Sequence, residues 1–506
     1  MDNKTLLAII LSIAVIIGYQ FLFPPPQQPV VKPPQPVTEK KVETPEPVLV
    51  PVAPGTTSAP EKEIKIENEL YSAVLSSKGG TIKSWAIKAY KDKKGQDVIL
   101  LKKPGVLPAV GIGTNDSFDL ANVNFSISGA DLRLDSNKNS GTVVFEYSHE
   151  GVSVKRTYTF YSDTYKVDIS DEVAGLPEYR ISLGSDFGIY EGDASSAHVG
   201  PILLTGTDLK ELNPKKLKEP NIFKENLKWI AQEDKYFFAA LVPVTPVEEA
   251  RAWTYKDSPV IAFKSKASVN KFVLYAGPKE QKRLEKLNIG LEHIINYGFF
   301  SIIARPLFWV LILFYGFFGN YGWAIILLTI VTRIPFIPLL NKGQKSMRKL
   351  QDIQPKMAEI REKYKKDPPK MQQEMTGLYK KHKVNPVGGC LPMLLQIPVF
   401  FALYKVLLIA IELRGAPFML WIVDLSAKDP YYVLPIVMGI TMVIQQKMTP
   451  STMDPKQAKL MMLMPVVFTF MFLSFASGLV LYWLINNILG IIQQFFVNKK
   501  LAKQSV

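Results

Sequence analysis

Apolar and polar positions divide this chain into two unlike parts. In the second part long apolar runs follow one another: Tyr321–Leu340, Val387–Ile411, Tyr431–Gln446, Leu460–Phe475 and Leu479–Val497. One more run, Thr5–Phe23, stands near the N-terminus. A helix rises about 1.5 Å per residue, so about 20 such residues cross a hydrocarbon core of about 30 Å. The pattern predicts six spans. Thr5–Phe23 reads as an uncleaved anchor rather than a signal peptide, because no A-x-A-like site follows it and the run exceeds a usual h-region. The stretch 305–319 is also apolar. Pro306 suits a first helical position and Gly319-Asn320 a C-terminal stop, which leaves Leu307–Phe318, too short to cross unaided. An interfacial helix is expected there, with a re-entrant one as the alternative.

The first part looks different. Residues 24–60 are dense in proline, which forbids helix and predicts an extended, semi-rigid linker. From 61 to 280 the pattern alternates, as in EIKIENELYSAVL and VSVKRTYTFYSDTYKVDIS, with turn signals at Lys78-Gly79-Gly80 and Lys94-Gly95. One large β-sandwich domain is expected. Residues 281–320 connect it to the spans. In the loop after Leu340, Met347, Leu350, Ile353, Met357, Ile360 and Tyr364 recur by threes and fours, and Met371, Met375 and Leu378 do so beyond Asp367-Pro368-Pro369. That spacing predicts two amphipathic helices in a hairpin over 342–383, packed on each other through a methionine-rich stripe.

Charge sets the orientation. The chain carries +15, a balance that suits either nucleic acid or a membrane surface. Its distribution decides. The loop 341–385 has thirteen Lys/Arg against five Asp/Glu, and the loop 447–459 and the short tail 498–506 are basic too. These segments are expected in the cytoplasm, the 412–430 loop and the β-domain outside, and both termini inside. A lone cysteine, Cys390, excludes an intrachain disulfide.

Enzyme signatures are missing: there is no phosphate loop, no H-E-x-x-H and no G-x-S-x-G. A non-enzymatic role without cofactor or metal is expected. The spans do hold scattered polar residues: Thr329, Arg333, Gln396, Gln445, Gln446, Asn486 and Asn487. Amides and hydroxyls commonly join helices. Arg333 fits that explanation badly, since a cation at membrane depth costs about 2.5–3.5 kcal/mol on insertion scales. It either snorkels to the cytoplasmic interface or faces a wet cavity that receives an acidic guest.

The stretches TRIPFIPL, KVNPVGGCLPMLLQIPVFFALYKV, ELRGAPFMLWIVDLSAKDPYYVLPIVMG and FASGLVLYWLINNILGIIQQ, in this order and spacing, resemble the YidC membrane-protein insertase family. The anchor and large outer β-domain are similar to its Gram-negative type. The resemblance implies a multidomain inner-membrane protein: a polytopic α-helical bundle with a five-span insertase core from 321 to 497, plus a periplasmic β-supersandwich. It implies insertion and folding of transmembrane segments, alone or with the Sec translocon. The groove doing so would open to the cytoplasm and lipid and close toward the periplasm. Its residues would be Arg333, Thr329, Gln396, Asn486, Tyr482, Trp483 (where several relatives carry tyrosine) and Gln445 or Gln446. Implied partners are nascent membrane proteins, the lipid bilayer and, through the hairpin, the ribosome and a targeting receptor, with no direct nucleic-acid role. Two other classes compete. A secondary transporter would show paired repeats, and none is visible. A membrane-anchored carbohydrate-binding protein would keep its activity in 61–278 alone.

Overall fold

A computed structural model describes residues 60–92, 94–101, 105–190, 197–382, 391–449 and 455–502. The expected anchor at 5–23 and the linker at 24–60 lie outside the described residues.

The alternating segments form a β-rich domain of three sheets, with five, nine and five strands. In the nine-stranded sheet Lys166–Ala174 lies antiparallel between Val152–Tyr161 and Val269–Pro278, with Val167 opposite Phe160 on one side and Leu274 on the other. Alternate residues of Val152–Tyr161 point inward, so Val154, Tyr158 and Phe160 enter the core while their neighbours face out. Trp85 stacks on Tyr71 at 4.2 Å within the same core. One inward position is charged. Arg156 is fully buried opposite Asp171 on the next strand and grips it twice, Nε at 2.7 Å and Nη2 at 2.8 Å. A buried pair is tolerated where geometry and further bonds satisfy it, and Arg156 also donates to the Val110 carbonyl.

Helix α1 (Gln281–Leu287) leads out of this domain toward the apolar helices. The next helix, α2, runs Ser301–Phe318 behind a 3-10 turn at Gly298–Phe300. This corrects the expected start at Pro306. That proline lies inside α2, where it removes a single bond, to the carbonyl four residues back. With Ser301 to Arg305 included, the run is long and apolar enough to cross a membrane. Gly319 ends α2 with φ +61°, and Tyr315 stacks on Tyr321 at 3.9 Å across the turn. Asn320 caps α3 (Tyr321–Arg333) by accepting from Gly322 N and Trp323 N.

A 3-10 turn at Ile334–Phe336 joins α3 to α4 (Ile337–Asp352), giving one helical run of 32 residues. Pro335 and Pro338 lack the N–H groups a regular α-helix would use here. Helices α5 (Gln354–Lys363) and α6 (Pro368–Lys381) follow. Leu350, Ile353, Met357 and Met375 bury one another there, as the stripes predict. The remaining helices are α7 (Leu391–Ile409), α8 (Val433–Met448), α9 (Pro455–Phe472) and α10 (Ser477–Ala502). The last is central, packing against α3, α4, α7 and α8. Gly439 lets α8 approach α9 so closely that a methyl there would meet the Thr469 hydroxyl at 2.1 Å.

The β-domain and the helices meet around residues 411–414, just past α7. Ile411 is buried in the β-domain's own core. The Arg414 guanidinium lies over Tyr190, Tyr236 and Phe237, at 5.5, 5.8 and 5.1 Å from the ring centres. The loop beyond is stapled to the start of α10: the Ser477 hydroxyl donates to the Ala427 carbonyl and Gly478 N to the Leu425 carbonyl. Asp429, buried, accepts from Trp421 Nε1 at 3.0 Å and from Leu434 N at 2.7 Å.

Candidate functional site

Arg333 is the last residue of α3, roughly 20 Å along the helix from Tyr321 at about 1.5 Å per residue. Among the described residues it pairs with no carboxylate, and it does not point freely outward. Its Nη1 donates to the Asn486 carbonyl at 2.7 Å and to Asn486 Oδ1 at 2.5 Å, and its Nη2 to Gln493 Oε1 at 3.4 Å. Its Nε–H is buried without a partner among the described residues. Asn486 Oδ1 also accepts from Gln396 Nε2 at 3.1 Å, so α3, α7 and α10 converge on one asparagine. Gln493 in turn donates to Asn341 Oδ1 at 2.8 Å.

Gly490 makes the arrangement possible. It lies between Asn486 and Gln493 on α10. A methyl at that position would stand 2.7 Å from Gln445 Nε2 and 3.2 Å from Arg333 Nη2. Of the two neighbouring glutamines, Gln445 is the one whose amide reaches the arginine's side of α10.

Beside this cluster lies a cavity of about 410 Å³ between α3, α4 and α10. Arg333, Asn341 and Gln493 supply its polar wall; Ile330, Ile337 and Phe496 are among its apolar lining. The cavity can thus hold an apolar segment against one fixed cation.

The other expected residues are placed differently. Thr329 is buried, and its hydroxyl is spent on the Ile325 carbonyl at 2.7 Å. Tyr482 is buried in the bundle. Trp483 packs among Phe400, Phe472 and Phe468, with ring centres at 4.8, 5.1 and 6.2 Å. Asn487 joins helices, its Nδ2 lying 3.3 Å from Thr441 Oγ1. Gln493 and Asn341 were not singled out from the sequence. For Gln493 a signal existed: 486, 490 and 493 are spaced by four and three on one face of α10.

Comparison with known proteins agrees with both halves. A family model described as YidC periplasmic domain matches residues 63–310, and one described as 60Kd inner membrane protein matches 313–504. The Membrane protein insertase YidC of Geotalea daltonii is 40% identical across 99% of this chain and 100% of its own length. Its counterpart in Geobacter metallireducens is 41% identical, with 99% of each chain covered. That of Syntrophus aciditrophicus is 39% identical across 99% of this chain and all of its own. Identity at this level over nearly the whole of both chains shows the family: the chain belongs to the YidC membrane protein insertase family.

Proposed function

We propose that this chain inserts transmembrane segments into the cell inner membrane and helps them fold, alone or beside the Sec translocon, through a groove centred on Arg333. The observation that carries the reading is the arginine's set of partners. Amides from Asn486 and Gln493 fix its direction and leave its charge unspent. An acidic tail entering from the cytoplasm is attracted to it. The membrane potential, negative inside, then favours outward movement of each negative charge by about 2.3 kcal/mol per 100 mV. The substrate's apolar helix leaves sideways into lipid, gaining roughly 25 cal/mol per Å² of apolar surface removed from water. No bond is made or broken, so neither cofactor nor metal is needed.

In this reading six spans cross the membrane, both termini are cytoplasmic and the β-domain is periplasmic. Helix α2 lies at the interface, because a seventh crossing would reverse the orientation given by the basic loops. Gln396, Gln445, Asn486 and Arg333 line the groove. Thr329, Tyr482 and Trp483 act there as packing that shapes its wall. The hairpin 342–383 receives substrate, ribosome or targeting receptor. Complementation of an insertase-depleted strain tests the function, scored as insertion of short phage-coat-like proteins. Rescue by the full chain, and by a version without 61–278, is expected. No rescue by the full chain would overturn the reading. Labelling of a cysteine in 341–385 from the periplasmic side would overturn the topology.

A further inference from the structure

A second cavity lies where the β-domain meets the helices. Its volume is about 270 Å³. Its wall comes from both parts of the molecule: His198, Glu233, Lys235 and Lys279 from the β-domain, Lys405 from α7, and the segment Ile294–Asn296 that leads to α2. The charges are unevenly satisfied. Glu233, almost fully buried, accepts from Lys279 Nζ at 2.6 Å and faces His198 Nδ1 at 3.0 Å. The other ring nitrogen of His198 faces the Leu212 carbonyl at 3.1 Å, so both suit an imidazolium. Burial, the largest single influence, opposes that charge, but the bond and charge of Glu233, the Leu212 carbonyl and the charge of Glu211 together outweigh it and hold the imidazole above its ordinary value. Glu211 accepts from Asn296 Nδ2 at 2.9 Å. Lys235 and Lys405 form no ion pair among the described residues; the Lys235 ammonium lies over the Tyr236 ring at 4.7 Å, a contact that leaves its donors open toward the cavity. Two ammonium groups therefore remain for a guest.

The surroundings indicate which guest. Lys405 stands one turn from the end of the apolar helix α7, and Gly298 opens the apolar run into α2. Next to the cavity Phe299 and Ile302 are 93% and 84% exposed. Phe401, one turn before Lys405 on the same face, stacks on Phe300 at 6.0 Å. A charged cup with bare apolar side chains at its lip matches an amphiphile rather than a free ion.

We propose that this cavity binds the phosphate of an anionic phospholipid from the outer leaflet, with Lys235 and Lys405 on the headgroup and the acyl chains along Phe299, Ile302 and the Phe300–Phe401 pair. The β-domain then stands on the membrane through a lipid as well as through protein. The proposal rests on the β-domain being periplasmic, and its test reads lipid rather than insertion, so the two can fail separately.

The full-length protein is extracted from bilayers of equal parts phosphatidylglycerol and phosphatidylcholine, and retained lipids are counted by native mass spectrometry. One tightly held phosphatidylglycerol is expected, and excess inorganic phosphate should not displace it. The pair Lys235→Gln/Lys405→Gln should weaken its retention roughly 30-fold, about fivefold for each lysine near an anionic headgroup. Lys405→Arg should retain it, and Lys155→Gln/Lys266→Gln, at exposed positions elsewhere on the β-domain, should change nothing. A thermal melt confirms that the variants fold. Equal retention by the double variant, equal retention of phosphatidylcholine, or displacement by inorganic phosphate would each overturn the proposal.

Discussion

Replacing Arg333 by alanine should change how insertion depends on the charge of the translocated tail. A carboxylate separated from the guanidinium by one water lies about 7 Å away. At an effective dielectric near 20 the two charges attract by about 2 kcal/mol, or about 30-fold in capture. A second Asp in an extended tail lies about 7 Å further when one residue intervenes, at about 3.4 Å per residue, and its attraction to the same site is weaker and partly screened. The wild-type response to zero, one, two and three Asp should therefore rise steeply and then flatten. In Arg333→Ala the first step should disappear, leaving only the gradual contribution of the membrane potential. Arg333→Lys keeps the charge but cannot reproduce the two bonds from Nη1 to Asn486. It should keep the steep step at a lower overall level. Protease protection of the tail series across the three versions measures this. A first step of the same height in Arg333→Ala would remove the residue from the mechanism, whatever happened to mean activity.

Three further outcomes concern the frame around the groove. Asp171→Ala strands a fully buried arginine and should cost the β-domain about 3–5 kcal/mol in denaturant unfolding; a loss below about 1 kcal/mol would mean the pair behaves as an exposed one. Burial, helped by the charge of Glu280, pushes the Glu412 carboxyl up from 4.5 to about 7. Its folded form prefers the proton, so the junction should be most stable below about pH 4.5 and lose stability as pH rises toward 7, by about 3 kcal/mol in all. Glu412→Gln should abolish that dependence in melts run across this window, and an unaltered pH profile would refute it. Arg414→Leu removes the cation from its three rings, worth about 0.5–2 kcal/mol, and should speed hydrogen exchange at 411–416 several-fold; unchanged exchange would show that the rings do not hold this loop.

The features legible in the sequence share a cause: they rest on period or on an isolated exception. Alternation marked the strands, and threes and fours marked the hairpin stripe whose methionines bury one another. Arg333 was conspicuous as the one cation in an apolar run. Its partners were not legible, because Asn486 lies 153 residues away and no local rule links them. Gln445 and Gln446 are neighbours about 100° apart on a helix, so only the packing of α10 chooses between them. Gly490 brings the Gln445 amide beside Arg333 through a close approach that the sequence records merely as a missing side chain. The state of the Thr329 hydroxyl is not legible either: a threonine in a helix can satisfy its hydroxyl on the carbonyl four residues back, as it does here. Pro306 was read by its commonest position, and the five residues before it, apolar apart from Ser301 and Arg305, were thereby left out of the helix.

The arginine's amide partners suggest a sharper experiment than its removal. Gln493 Oε1 is 3.4 Å from Arg333 Nη2. Gln493→Glu places a carboxylate of nearly the same shape at that spot, keeps the arginine and adds one negative charge. An ion pair so close satisfies the guanidinium locally, and the field reaching a guest falls to that of a dipole. If the unspent charge is what captures acidic tails, Gln493→Glu should lose the steep first step as Arg333→Ala does, although every atom of Arg333 remains. If instead Arg333 serves as a donor that shapes the bundle, the variant should strengthen its contact with α10 and leave insertion intact. The two variants combined should be no worse than either alone, since they act on one quantity. Protease protection with the same tail series separates these cases. A normal charge response in Gln493→Glu would mean that the amide setting of Arg333 is structural and that the driving force for acidic tails lies elsewhere.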